Sequence, residues 1–406
     1  MNAEAPSVLL ETDFEHSPVE KGWALRAPPN GSPAGAWTKG AAASGERFIS
    51  VRQGHWESPP VPATPSGYCR LSFQARTPVD GYWFAVFEDA EGKELQADCC
   101  DSVFAASGWQ PQEFFFRAHA LAARVKLRFQ PLAALLAIDD VRLQAAETAA
   151  TAAWADALAA ANPPVRYAPP ATRWEHLPRT LKKLKTGAEL RVVLLGDSIA
   201  NDTANSLFEL LLQRAYPQAR LQVISSVRGG TGCVYYQQEN RVNEYVLRHR
   251  PDLLIIAGIS HGYDPEAIRG VIRQVRAAPA ADGASATTTE PEIMVLTDAV
   301  APEERMKAAF LKGTKLPPAE AEAQVARFPE RIERLAREEG VAWLNLRAAW
   351  NAALRGSPRP EAWFLRDEIH ANCRGKQILA RILERHFAPD TPAVPGPAGQ
   401  SGRDQP

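Results

Sequence analysis

Two short segments of this chain hold the three residue types that nucleophilic ester cleavage requires. Ser198 closes the run Val192-Val-Leu-Leu-Gly196-Asp197-Ser198, and Asp367-Glu-Ile-His370 lies far along the sequence. A serine hydroxyl attacks an acyl carbon only when a base takes its proton. A histidine serves as that base only when a third group fixes its tautomer. Asp367 and His370 are three residues apart, so one loop can present both, with the carboxylate on Nδ1 and Nε2 left for Ser198. Neither fragment is distinctive alone, because Gly-Asp-Ser occurs in many turns and Asp-x-x-His is often two solvated side chains. Occurring together, in this order and at these places, they point to a Ser-His-Asp triad. Such chemistry calls for no metal and no organic cofactor.

The elements that must position these groups can be read around them. Val192–Leu195 reads as a buried strand, Gly196-Asp197-Ser198 breaks it, and 202–215 has the period of a helix. Ser198 therefore falls at a strand-to-helix turn on the C-terminal edge of a sheet, where open α/β folds carry their chemistry. Strands are expected at 190–195, 220–225, 252–257, 292–297 and 341–345. Helices are expected near 202–215, 239–249, 264–277, 317–339 and 374–387. Five strands with crossover helices predict a three-layer, doubly wound parallel sheet of the flavodoxin-like type. The loops after its first three strands and the segment before its last helix share one edge. Segment 279–290 reads as a surface loop. Segment 302–339 exceeds one crossover, which suits either a lid or a two-helix insertion.

On these residues the chain resembles the SGNH (GDSL-type) hydrolase family. The first family block is matched by Gly196-Asp197-Ser198-Ile199, which implies Ser198 as nucleophile. The last is matched by Asp367-Glu-Ile-His370, followed by Asn372 and Gly375. The second block, a glycine whose N–H faces the oxyanion, falls in Ser226-Val-Arg-Gly229-Gly230-Thr-Gly232. The third, normally Gly-x-Asn-Asp, falls on Gly258-Ile-Ser260-His261, so Ser260 stands where the family has asparagine. One lost donor to a developing oxyanion costs about 2.7–4 kcal/mol. The resemblance implies the backbone N–H groups of Ser198 and Gly230 as donors, with Gly229 the alternative glycine. A third donor is expected from Ser260, His261 or Asn201. The likeness covers about residues 176–388.

Residues 1–145 have a different texture. Short aromatic and β-branched runs alternate with turn residues, giving expected strands at 68–75, 82–88, 112–117, 124–130 and 137–143, and a turn at Asp89-Ala-Glu-Gly92. This spacing suggests a β-sandwich. The closing Ile138-Asp-Asp-Val-Arg-Leu143, with Trp109 and Phe114–Phe116 upstream, resembles the last strands of jelly-roll carbohydrate-binding modules. Of Trp23, Trp37, Trp56, Trp83 and Trp109, most are expected in the core. Trp37 and Trp56, in Gly/Pro/Ser-rich segments, are the candidates for exposed sugar platforms. An Ala/Pro-rich linker is expected over 146–175, with a helix at 145–161. A hydrolase domain over 176–388 and a disordered tail from 389 complete the division.

The 406 residues carry a formal net charge of −1 with both signs interspersed, so nothing resembles a phosphate-neutralising surface and nucleic acid is not an expected partner. Lys182-Lys183-Leu-Lys185 reads as a solvated helix face. No apolar stretch approaches the roughly 20 residues that span a bilayer, so a soluble protein without a membrane partner is expected. The start lacks the features of a signal peptide, which taken literally implies the cytoplasm; a trimmed leader would instead imply export. Of the five cysteines, Cys69, Cys99 and Cys100 read as small buried residues, while Cys233 and Cys373 each follow a proposed site loop and could approach one another. The resemblance implies a serine esterase that removes small acyl groups, acetyl above all, from a carbohydrate. Two alternatives stand beside it: a lipase- or thioesterase-like hydrolase of longer acyl chains, and a glycan-binding protein with a silent hydrolase domain.

Overall fold

The computed structural model describes residues 7–258, 263–278, 290–297, 314 and 316–389. Between Val8 and Ala146 the chain forms two packed antiparallel sheets. The first contains β1 (Val8–Thr12), β3 (Ala34–Lys39), β4 (Arg47–Gln53), β7 (Tyr68–Thr77), β10 (Ala106–Arg117) and β12 (Leu136–Ala146). Its order is β10-β7-β12-β4-β3, with β1 also on β12. The second contains β2 (Ala24–Arg26), β5 (His55–Glu57), β6 (Val61–Pro62), β8 (Gly81–Glu88), β9 (Cys99–Val103) and β11 (Arg124–Pro131). Its order is β2-β5-β11-β8-β9, with β6 also on β11. Every second residue of β7 (Cys69, Leu71, Phe73, Ala75, Thr77) is buried, as the two-residue period of a half-buried strand requires. Trp83, Phe114 and Phe129 meet these residues in an aromatic core. The strands expected from the sequence are all present. Strands β1–β6 and β9 are not anticipated: most are five residues or fewer, too short to show a two-residue period, and they gain order from cross-strand partners rather than from their own propensity.

The second half is a parallel sheet of β13 (Glu189–Gly196), β14 (Arg220–Val227), β15 (Leu253–Ile256), β16 (Glu292–Leu296) and β17 (Ala342–Leu344). The order is β14-β13-β15-β16-β17. Val192 and Leu194 enter the core on one face of β13, and Val193 and Leu195 the core on the other, so helices cover both faces. Strand order reverses at β13, which opens a crevice at its C-terminal end. The helix expected over 202–215 is two, Ser198–Ala204 and Phe208–Ala215, broken where Leu207 takes φ of +64°. Asn205 and Ser206 precede the break, and Ser206 Oγ donates back to the Thr203 carbonyl at 2.7 Å, a local bond that competes with the helix. The segment expected over 317–339 is likewise two helices, Pro318–Ala326 and Phe328–Glu339. Most of 279–290 and of 302–316 lies outside the described residues, as does the tail from 390. Helix Leu346–Arg355 was not anticipated.

The Ala-rich linker forms helix Thr148–Ala160, and it is packed rather than free. Trp154 meets Phe115 of the sandwich at 5.7 Å, and Asp156 pairs with Arg214 and Arg381 of the α/β half. The sandwich itself abuts the α/β half directly. Strand β9 is the edge of its sheet, and an edge leaves carbonyls unpaired. Here they are taken up across the junction: the Asp98 carbonyl, just before β9, accepts from Asn201 Nδ2 (2.8 Å) and Asn205 Nδ2 (2.9 Å), and the Cys100 carbonyl from Lys376 Nζ (2.5 Å). Buried Arg117 pairs with buried Glu209 at 2.9 Å, and Tyr68 donates to the same carboxylate. His119 Nε2 donates to the Ser225 carbonyl at 2.9 Å while its Nδ1 accepts from the Leu121 N–H, which fixes a neutral ring.

Two predictions follow from this junction. Glu209→Ala leaves the Arg117 guanidinium buried without its carboxylate, and should lower unfolding free energy by about 3–5 kcal/mol in a urea titration. Burial, with the Arg117 and Arg248 charges, lowers the His119 pKa to about 4 from the usual 6.5. The unfolded chain therefore takes up more protons at this ring, so its contribution is complete above about 6.5 and is lost as pH falls toward 4. Urea midpoints between pH 7 and 4.5 should fall less steeply in His119→Gln than in the wild type; parallel curves would contradict this.

Candidate active site

The position of Ser198 is set by close packing at the end of β13. A Cβ at Gly196 would collide with the Ala257 carbonyl oxygen, and one at Gly258 with the Asp197 carboxylate. These glycines let β13 and β15 converge around a fully buried Asp197. Asp197 then caps the next helix, its Oδ1 accepting from Ile199 N (2.9 Å) and Ala200 N (3.3 Å), and Ser198 becomes the first helical residue. Ser198 is only partly buried, so a substrate can reach its hydroxyl.

Asp367 and His370 come from the turn before helix Cys373–Phe387. Leu365 and Ala371 form an antiparallel bridge, the Arg366 N–H donates to the His370 carbonyl (3.0 Å), and Asp367 Oδ1 accepts from the N–H groups of Ile369 and His370 (both 2.9 Å). Asn372 caps the helix through Arg374 N and Gly375 N, and its amide donates to the carbonyls of Trp363 and Leu365. A Cβ at Gly375 would strike the Phe364 carbonyl oxygen, which accounts for the glycine.

The two segments meet at the end of β13. His370 Nε2 lies 2.8 Å from Ser198 Oγ, and His370 Nδ1 lies 2.9 and 2.8 Å from the two Asp367 oxygens. Burial alone would raise the Asp367 pKa. The His370 hydrogen bond and charge, the Ile369 N–H and Arg366 outweigh it and hold the carboxyl at about 2. Asp367 is thus ionised at neutral pH, and a carboxylate on Nδ1 can orient an imidazole and stabilise its cation.

A second set of residues, not foreseen from the sequence, holds the triad in register. Buried Arg366 donates through one nitrogen to both Asp202 oxygens (2.7 and 2.8 Å) and to the Ala371 carbonyl (2.5 Å), and the Ala371 N–H donates to Asp202 at 3.1 Å. Asp202 stands one turn after Ser198 on the same helix, so this pair ties the nucleophile's helix to the acid–base turn. Buried Lys376 lies 3.0 Å from Asp101 of the sandwich, whose other oxygen accepts from the Cys373 N–H at 2.8 Å. Only the charge of Arg366, directly before Asp367, hinted at this network.

The remaining candidates are placed as follows. Gly229 and Gly230 are exposed in the loop after β14, and Gly230 takes φ of +65°. The Arg228 N–H donates to the Gly196 carbonyl at 3.1 Å, which sets this loop beside the nucleophile turn. Among the described residues no hydrogen bond engages the N–H of Ser198 or Gly230. Ser260 and His261 lie outside the described residues. Asn201 points away from an oxyanion role, since its Nδ2 serves Asp98 and its Oδ1 accepts from Ser225 Oγ at 2.8 Å. Trp56, expected as an exposed platform, is instead a core residue on β5, with Nε1 donating to the Ser50 carbonyl at 2.9 Å. Trp37 is half-buried, with Arg47 over its ring at 4.1 Å. All five cysteines are buried free thiols, and Cys233 and Cys373 belong to different cores.

No family model matches this chain, and no curated protein matches it in sequence. Among solved structures, the chain is similar to a two-domain esterase (CEX) active on acetylated mannans, co-crystallised with mannopentaose. The identity is 17%, the TM-score 0.39, and the match covers 54% of this chain and 56% of that one. A catalytic mutant of Axe2, an acetylxylan esterase from Geobacillus stearothermophilus, gives 17% identity and a TM-score of 0.36 over 49% of this chain and 94% of that one. The CBM22-1 xylan-binding domain of Paenibacillus barcinonensis Xyn10C gives 14% identity and a TM-score of 0.28 over 35% of this chain and 97% of that one.

Asp367→Asn removes the charge that fixes the His370 tautomer while nearly preserving shape. It should lower kcat for 4-nitrophenyl acetate on the order of 10⁴-fold. A variant within tenfold of wild type would show that Asp367 is not the orienting acid.

Proposed function

We propose that this protein is a serine esterase that removes acetyl or similarly small acyl groups from a carbohydrate. The observation that carries the reading is the unbroken line of hydrogen-bond contacts from Asp367 through His370 to a solvent-reachable Ser198. Ser198 Oγ attacks the ester carbonyl as His370 Nε2 takes its proton. The tetrahedral oxyanion is received by the N–H groups of Ser198 and Gly230, with Ser260 or His261 as the third donor. His370 then returns the proton to the sugar oxygen, which leaves, and the acyl group stays on Ser198. Water, deprotonated by the same histidine, releases the acid and restores the hydroxyl.

A small acyl group is favoured over a long one by the surface of the α/β half. Among the described residues Val234 is the single exposed large apolar side chain there, and a long acyl chain needs an apolar groove. The carbohydrate part of the reading rests on the jelly-roll resemblance of the sandwich and on its direct packing against the catalytic half. The test is acetate release from acetylated xylan and acetylated mannan by wild type and Ser198→Ala. Wild type should release acetate and the variant roughly 10⁴- to 10⁶-fold less, with the same unfolding midpoint. A folded Ser198→Ala variant that keeps its turnover would overturn the triad. Cleavage of long-chain acyl esters in preference to acetates would replace the substrate reading.

A further inference from the structure

The sandwich reaches the catalytic site through one corner of its second sheet. Strand residues two apart share a face, and in β9 that places Cys100 and Ser102 on the outer face of the sheet. Cys100 is in electrostatic reach of Arg366, the residue preceding the triad acid. Its cross-strand partner on β8 is Phe84, and the partner of Ser102 is Tyr82. On the other side of β8, Gln130 of β11 lies opposite Tyr82. Tyr82 and Phe84 are half-exposed and their rings meet edge-to-face at 6.1 Å. Outward positions of a sandwich are ordinarily polar, and two adjacent aromatics here stand out. The charge of Asp367 reaches Tyr82 and, with burial, pushes its phenol up to about 12; β9, which pairs with the strand of Tyr82, holds the chain just after His370 through Asp101 and the Cys373 N–H at 2.8 Å.

Other aromatics at this corner already have both polar cover and packing. Trp363 has Arg374 at 3.6 Å and Arg359 at 4.6 Å from its ring, and Phe104 has Arg374 at 4.1 Å. No cation lies over Tyr82 among the described residues. The direction of the chemistry decides what would approach it. In an ester of a sugar the sugar is the leaving group, and its oxygen must take the proton from His370 Nε2. The sugar therefore lies on the histidine side of Ser198, the side from which the Asp367–His370 turn approaches it. Sugar rings have apolar C–H faces and polar rims, which suit a tyrosine ring flanked by an amide.

Resting on the reading of the protein as a carbohydrate esterase, we propose that the sandwich supplies one wall of the substrate site. In that wall Tyr82, with Phe84 and Gln130 beside it, binds the sugar ring adjacent to the acylated one. Tyr82 is then a specificity residue that touches the substrate away from the reacting atoms. It makes the two halves one enzyme rather than a hydrolase with an appended binding module.

The experiment compares wild type, Tyr82→Ala and Tyr82→Phe on acetylated xylo- and manno-oligosaccharides and on 4-nitrophenyl acetate, whose leaving group has no second ring. The ratio of kcat/KM for oligosaccharide to kcat/KM for aryl ester should fall about tenfold in Tyr82→Ala, mainly through KM. It should be retained in Tyr82→Phe, which keeps the ring. An unchanged ratio in Tyr82→Ala overturns the proposal. So does an equal loss on both substrates, which would mean that Tyr82 acts through Asp367. Wild type that cleaves the aryl acetate but none of the oligosaccharides overturns the carbohydrate reading itself, and this outcome is seen before any variant is compared.

Discussion

The contact on which the rest of this structure depends is the buried pair of Arg366 and Asp202. Its side chains come from elements 164 residues apart in sequence. One belongs to the helix that begins at Ser198 and the other to the turn that carries Asp367 and His370. The Ala371 backbone joins them, donating to Asp202 and accepting from Arg366. A pair this buried contributes little net stability, because desolvation offsets most of its attraction, but breaking it by removing one partner costs about 3–5 kcal/mol. Its value is geometric. Ser198 and His370, which meet at 2.8 Å, sit on separate elements, and this pair leaves them one register.

The same logic extends into the sandwich. Lys376 and Asp101 continue the line of buried charge, and the free edge of β9 is satisfied by Asn201, Asn205 and Lys376. Each of these side chains lies within a turn or two of a triad residue. The sandwich edge therefore serves as part of the scaffold behind Ser198 and His370, and an exposed strand edge that would otherwise invite aggregation is covered by the same contacts. The proposed role of Tyr82 builds on this arrangement, since β8, which carries it, pairs with β9, whose edge packs against the helix that begins at Ser198 and the helix that follows His370.

What could be read from the sequence was the parallel sheet and the three residue types that meet at its edge. Ser198, Asp367 and His370 carry strong residue-type constraints, and fully buried strands such as β13 announce themselves as apolar runs. What could not be read was anything decided by a distant partner. Asn201 looked like a donor to the site, but the edge carbonyl of Asp98 lies within its reach and takes its amide. Trp56 sits among Pro and Ser residues that suggest a loop, whereas pairing of β5 with β11 turns it into the core opposite Phe129. Arg366–Asp202 has no local signature, because neither residue's neighbours specify the other. The break at Leu207 likewise reflects the polar side chains before it rather than the apolar period on which the helix expectation rested.

The most direct test of the central claim is whether Ser198 is the group that becomes covalently modified. Treatment with a fluorophosphonate, in which serine Oγ displaces fluoride from phosphorus as the base takes its proton, followed by peptide mass analysis, reads this in one step. The account predicts stoichiometric labelling at Ser198, with labelling of Ser198 sharply slowed in Asp367→Asn. Labelling confined to another residue, or none under conditions where ester hydrolysis proceeds, would contradict it.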